Sequence, residues 1–154
     1  MSIFNRLFII SQTRFLKPLF IFTVLFLFLM PVNFSNAAQR EFDYFSVNIP
    51  SGWKANQDGD TVLILRNDHS ASMSVTVASR EGVDFDDIAK EFARGLDGSD
   101  FEIDDDGDAN FLFNDGKSYT MILNGGENFV VIAMTGMASH SNEMSKIIDS
   151  MSMK

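Results

Sequence analysis

A chain of 154 residues without one cysteine excludes disulfides, thiol nucleophiles and Cys-ligated metals. Its 12 basic and 21 acidic side chains leave a net charge of −9. Partners bound through dense Lys and Arg, nucleic acid and anionic membrane surfaces, are therefore excluded as well.

The first 37 residues form a separate object. Arg6, Arg14 and Lys17 are their only charges, and the apolar run LFIFTVLFLFLMPV (19–32) leads into NFSNA, which sets Ser35 and Ala37 three residues and one residue before a cleavage point. A spanning helix needs about 20 apolar residues, more than this run supplies. The pattern predicts a secretory signal peptide over 1–37, cut after Ala37, with an uncleaved N-terminal anchor as the alternative. No cysteine follows the run, which excludes a lipid-anchored form. Cleavage removes three basic residues and no acid, leaving nine basic against 21 acidic side chains, a net charge of −12 on residues 38–154. A charge of this size keeps a protein soluble. The length suits one domain, and no repeat or linker divides it. Eight phenylalanines, Phe42 to Phe129, and Trp53 supply core material.

Periodicity orders the rest. YFSVNIP alternates Phe45, Val47 and Ile49 against polar neighbours, a half-buried strand stopped at Pro50. TVLILR (61–66) is apolar on both faces, which predicts a central strand. NDHS (67–70) turns the chain, and ASMSVTVAS alternates Met73, Val75 and Val77 with Ser and Thr. A helix follows, with Asp84 as its cap, Asp86 and Asp87 at its positive end, and Phe85, Ile88, Ala89, Phe92 and Leu96 on one face. DFEID, DANFLF, SYTMILN and NFVVIAMT read as four strands joined at DDG, NDGK and GGEN, where Gly or Asn takes positive φ. Ser141 is expected to cap a second helix that buries Met144, Ile147, Ile148 and Met151 and turns Lys146 and Asp149 to water. The predicted class is α+β: an antiparallel sheet of about seven strands, in the order βββαββββα, with two helices packed on it.

FSVNIPSGWK, the helix after three strands, the hairpin through NDGKSYTMIL and the closing IIDSMSM resemble the Mog1/PsbP-like fold family over most of residues 42–153. The resemblance implies an antiparallel sheet with helices packed on it and a mostly non-catalytic role. PsbP assists photosystem II, Mog1 binds a small GTPase, and many bacterial members are exported. It carries over no functional residue.

EIDDDGDANF (102–111) is the densest acidic stretch. With Gly107 at position 6 of a calcium loop, Glu102, Asp104 and Asp106 fall at 1, 3 and 5, but position 12, which needs a bidentate Glu, is Phe113. The stretch reads as a solvated hairpin tip, with a weak cation site at Asp104, Asp106 and Asp108 as the alternative. Asp68, His69 and Ser70 stand side by side, yet a catalytic triad is assembled by the fold and not by adjacency, and neither His69 nor His140 has metal-ligand spacing. No Gly-rich loop opens a helix to cradle phosphate. The sequence therefore assigns no catalytic, cofactor-binding or metal-binding residue and implies no cofactor. Trp53 is expected to cap the core, the alternative being a shallow groove. Met144, Met151 and Met153 are expected to pack, the alternative being an adaptable binding face. The function expected is that of a periplasmic or secreted, non-catalytic binding or accessory module docking another envelope protein, without a stable membrane anchor once the signal is removed. The alternative is a weak cation- or small-ligand-binding protein using the turn 104–108.

Overall fold

The computed structural model describes residues 37–154; the signal-peptide reading falls on residues 1–37 and thus, but for Ala37, lies outside the described residues. Five strands come before the first helix: β1 (Ala38–Glu41), β2 (Phe45–Ile49), β3 (Trp53–Asp58), β4 (Thr61–Arg66) and β5 (Ser72–Ser79). Then come α1 (Phe85–Gly95), β6 (Ser99–Ile103), β7 (Ala109–Phe113), β8 (Ser118–Gly125), β9 (Asn128–Thr135), α2 (Met137–Asp149) and β10 (Ser152–Met153). The expected class holds, α+β with two helices on an antiparallel seven-stranded sheet, but the order βββαββββα omits β1, β3 and β10.

The main sheet runs β3-β4-β5-β9-β8-β7-β6, two antiparallel meanders joined where β5 pairs with β9. Strand β2 lies outside it, in a small sheet of order β1-β2-β10. Two-residue hairpins link β3 to β4 and β8 to β9, with Gly59 and Gly126 at positive φ as the first loop residue, the position that favours glycine.

Side chains alternate across a strand, and β9 therefore feeds two cores. Val130, Ile132 and Met134 join Phe45, Val47, Ile49, Val62, Ile64, Met73 and Val75, closed over by Met144 and Ile147 of α2. Phe129 and Val131 join Ala109, Phe111 and Ile122 under Phe85, Ala89 and Ala93 of α1. The two helices thus cover opposite faces. Because α1 packs on β6 and β7, reaching β5 only at Ala78 near its end, no helix among the described residues covers its side of the sheet over β3, β4 and the rest of β5.

That bare half corrects the reading of TVLILR. Strand β4 stands second from an edge; Val62 and Ile64 are buried, while Leu63, on the uncovered face, is 46% exposed. In α1, Asp84 caps as expected, its carboxylate accepting from Asp86 N at 2.9 Å. Leu96, however, is the exposed C-cap, and Ala93 takes the buried position. The second helix does not begin at Ser141. It starts after Gly136 and breaks at His140, whose φ of −131° and ψ of 16° are non-helical, just before Ser141. Gly136 is at φ +80°, and a Cβ there would lie 2.3 Å from Ser70 O, so this corner admits only glycine. Met144 and Ile147 are buried, Ile148 and Met151 partly so, and Lys146 and Asp149 face water as predicted, whereas Met153 is exposed.

Candidate functional site

The acidic turn folds as a hairpin tip between β6 and β7. Asp104 Oδ1 accepts from the backbone N–H of Asp106 and of Asp108, both at 3.0 Å, and Asp108 Oδ1 accepts from Asn124 N at 2.7 Å. The carboxylates of Asp104 and Asp108 thus hold the turn and its neighbour β8. Among the described residues no group of three or more His, Asp or Glu side chains is arranged to hold a metal ion.

A second polar cluster joins residues far apart in sequence. Trp53, at the start of β3, is buried at 6% exposure, as a core residue should be, but its Nε1 donates to Glu143 Oε2 at 2.7 Å. Arg66, at the end of β4, donates from Nη1 to the same oxygen at 2.6 Å and from Nε to Asp68 Oδ2 at 3.0 Å. Asp68 Oδ1 accepts from Ser70 Oγ at 2.6 Å and Ser70 N at 3.0 Å, and Ser70 Oγ lies 3.0 Å from His140 Nε2. His140 Nδ1 is 3.8 Å from Glu143 Oε2, and the imidazole stands edge-on to Trp53 with ring centres 6.4 Å apart. The break in α2 at His140 aims the ring at Ser70.

Ser70, His140 and Glu143 mimic the order of a nucleophile, a base and an orienting acid, but the chemistry is otherwise committed. A 3.8 Å separation is not a hydrogen bond. The Glu143 carboxylate is held below its ordinary range, first by the indole N–H of Trp53 and then by Arg66. Asp68 is held well below the carboxylate range, chiefly by the two donors of Ser70 and then by Arg66. Carboxylates so stabilised are weak bases. The arrangement acts as a latch that fastens β3, β4 and the β4–β5 turn to α2. Of the trio Asp68, His69 and Ser70, only the first and last take part; His69 is exposed at φ 61° within the turn. The partner imidazole belongs to His140, and the sequence reading missed Arg66 and Glu143 altogether. Their spacing of 77 residues leaves no local signal.

The third feature is an apolar groove of about 400 Å³ between α1 and the ends of β5 and β9, lined by Val83, Ile88, Phe92 and Phe129. Phe92 and Phe129 meet edge to face at 6.0 Å, forming its floor. Val83, in the loop before α1, is 49% exposed although apolar. Glu81, Asp87 and Glu91 stand on the rim with Arg80. The guanidinium of Arg80 is turned to Val83 O at 3.3 Å and Asn124 Oδ1 at 3.2 Å. An adjoining polar cleft shares Arg80 and Glu81 and adds Glu127. The groove became visible only once α1 was placed against the sheet, because Ile88 and Phe92 alone read as core.

An antiparallel sheet with a helix on each face, a latch of polar side chains and an open apolar groove together define a small α+β domain. Among solved structures it is similar to cyanobacterial PsbP (CyanoP) from Synechocystis sp. PCC 6803, with a TM-score of 0.54 over 81% of this chain and 96% of that chain, at 10% sequence identity. The chain has a PsbP-like fold. No protein-family model matches it, and no curated protein matches its sequence.

Proposed function

We propose that residues 38–154 are an exported, non-catalytic accessory domain that docks on another protein of the cell envelope through the α1 side of the sheet. The groove at Val83, Ile88, Phe92 and Phe129 carries this reading, since it keeps apolar surface open to water at a place where α1 had every opportunity to bury it. The uncovered face of β3 to β5, with Leu63 exposed, extends the available area on the same side of the sheet. On the α2 side Met144 and Ile147 are spent on the core, and the concavity at the start of that helix, lined by Leu112, Tyr119, Met137 and Ala138, has Lys117 as its one charged side chain. Export rests on the basic start, short apolar run and small residues of positions 1–37. Among the described residues no helix is long and apolar enough to cross a membrane, in keeping with a domain released after cleavage.

Two measurements test this. Expressed with residues 1–154 in a Gram-negative host, the protein is expected in the periplasmic fraction with Ala38 as its first residue; an intact Met1 in the membrane pellet overturns the export reading. With 38–154 as bait in an envelope extract, a protein retained by the wild type and released by Val83→Glu supports docking in the groove. Equal retention by both baits, or none by either, refutes it.

A further inference from the structure

The same groove carries a sign. Three carboxylates, Glu81, Asp87 and Glu91, stand on its rim against one guanidinium, that of Arg80, so the lining is net −2. Glu127 in the adjoining cleft makes the mouth more acidic still. Arg80 is drawn inward by Val83 O and Asn124 Oδ1, and among the described residues no cation is paired with Glu81 or Asp87. Glu91 is paired with Arg94 one turn along the helix. The floor is apolar and aromatic, from Phe92 and Phe129, and the wall is aliphatic, from Val83 and Ile88. Apolar floor and acidic rim select together what either alone would not.

We infer that the occupant is a cationic, apolar segment of a partner protein, in which Leu or Phe side chains enter the groove and a flanking Lys or Arg meets Asp87 and Glu81. This rests on the docking reading above and adds the chemistry of the partner. Glu81, Asp87 and Glu91 are exposed, so their attraction for an opposite charge is screened by salt, and complementary potentials favour one partner and reject others by like-charge repulsion. A lipid surface is the wrong occupant, since the anionic headgroups that would supply charge contacts are repelled by this rim. A groove of about 400 Å³ falls within the range of ligand pockets, which suits a few large side chains and not a whole helix face. A cation gains from an aromatic ring only where it lies over the ring face, so the rim carboxylates, not the rings, set the preference.

The test uses residues 38–154 and three fluorescein-labelled, end-capped peptides: Lys-Leu-Phe-Leu-Lys, Glu-Leu-Phe-Leu-Glu and Lys-Ser-Ser-Ser-Lys. Fluorescence anisotropy is expected to show the first binding at least tenfold tighter than either of the others, with a loss of affinity as salt is raised. Asp87→Lys should reduce that preference by about tenfold or reverse it, and Val83→Ser should weaken the apolar peptides while leaving the thermal transition in place. Equal binding of the Lys and Glu peptides, with both lost in Val83→Ser, overturns the charge inference and leaves the docking reading standing. Binding of Lys-Ser-Ser-Ser-Lys as tight as that of the first peptide, or no effect of Asp87→Lys on the preference, also overturns it. Absence of binding by all three overturns this inference, while the docking reading is then decided by the Val83→Glu bait.

Discussion

Replacing Gly136 with alanine tests the corner on which the latch depends. The residue sits at φ +80°, and its missing side chain would lie 2.3 Å from Ser70 O, 2.9 Å from Ala71 Cα and 3.0 Å from Ala71 Cβ, all in the chain that carries Ser70 to His140. The left-handed conformation costs an alanine about 1–2 kcal/mol. The clash with backbone atoms, which cannot rotate away, adds roughly 1–3 kcal/mol by forcing β5 and the start of α2 apart. Together they come to about 2–5 kcal/mol, a large share of the total for a domain whose stability is on the order of 5–15 kcal/mol. Gly116 provides the control: it is at φ +75° with nothing within 4 Å of its would-be Cβ, so Gly116→Ala bears the conformational cost alone. Urea unfolding of both variants, followed by circular dichroism, should place Gly136→Ala lower than Gly116→Ala by about the steric 1–3 kcal/mol. Near-ultraviolet signal from Trp53 should weaken in Gly136→Ala, since the indole is tied to Glu143 on the displaced helix. If the two variants unfold together, the close approach of Gly136 to Ser70 is not a constraint and the argument fails.

Ile147→Ala, at a fully buried site of α2, should cost about 2–5 kcal/mol in the same urea assay, whereas Lys146→Ala and Asp149→Ala should stay within roughly 0.5 kcal/mol of wild type. In the acidic turn, Asp104→Ala removes the acceptor of two backbone N–H groups and should cost about 0.5–2 kcal/mol, as loss of a helix cap does. Wild type should show no rise in melting temperature with calcium, and a rise of several degrees that Asp104→Asn with Asp106→Asn and Asp108→Asn abolishes would instead establish the cation site. Asp68 and Glu143 are both depressed in the folded state, so the unfolded chain binds more protons and stability rises with pH. Their contribution is complete above the ordinary carboxylate range and is lost as pH falls below it, through the lowered folded values. The midpoint of urea unfolding between pH 6 and pH 3 should fall less steeply in Arg66→Gln than in wild type; parallel curves would mean that Arg66 does not hold these carboxylates.

Strands with one wet and one buried face, β2 and β5, were legible because alternation states both their conformation and their inward residues. Three of the hairpin turns were legible because Gly107, Gly116 and Gly126 mark backbone that other residues resist; the turn at Gly59 went unread with β3. Three strands were not. AQRE and WKANQD carry too little apolar alternation, since β1 lies exposed on a small sheet and β3 is an edge of the large one, and β10 is two residues long. Alternation also could not say that β2 leaves the main sheet, because either sheet would bury Phe45, Val47 and Ile49. In the latch, adjacency pointed to His69, but the turn that brings Ser70 close to α2 throws His69 outward; the useful imidazole arrives from 70 residues further on. Such contacts are written in the packing of α2 on the sheet, and no window of the sequence contains both partners.

Strand β9 is apolar on both sides, and this removes a safeguard that ordinary strands possess. Sliding a half-wet strand by one position drives its oily side chains into water, and that penalty fixes its alignment. A similar slide of β9 would only exchange Phe129 and Val131 for Val130 and Ile132 between two dry compartments. Its alignment must come from elsewhere, and three short-range devices lie along it. The two-residue loop Gly126–Glu127 sets its beginning against β8, the hydroxyls of Ser72 and Thr135 meet at 2.8 Å near its end, and Gly136 fits only where Ser70 and Ala71 leave room. Small polar and glycine positions at the two ends of β9 thus decide which of its apolar residues belongs to which core.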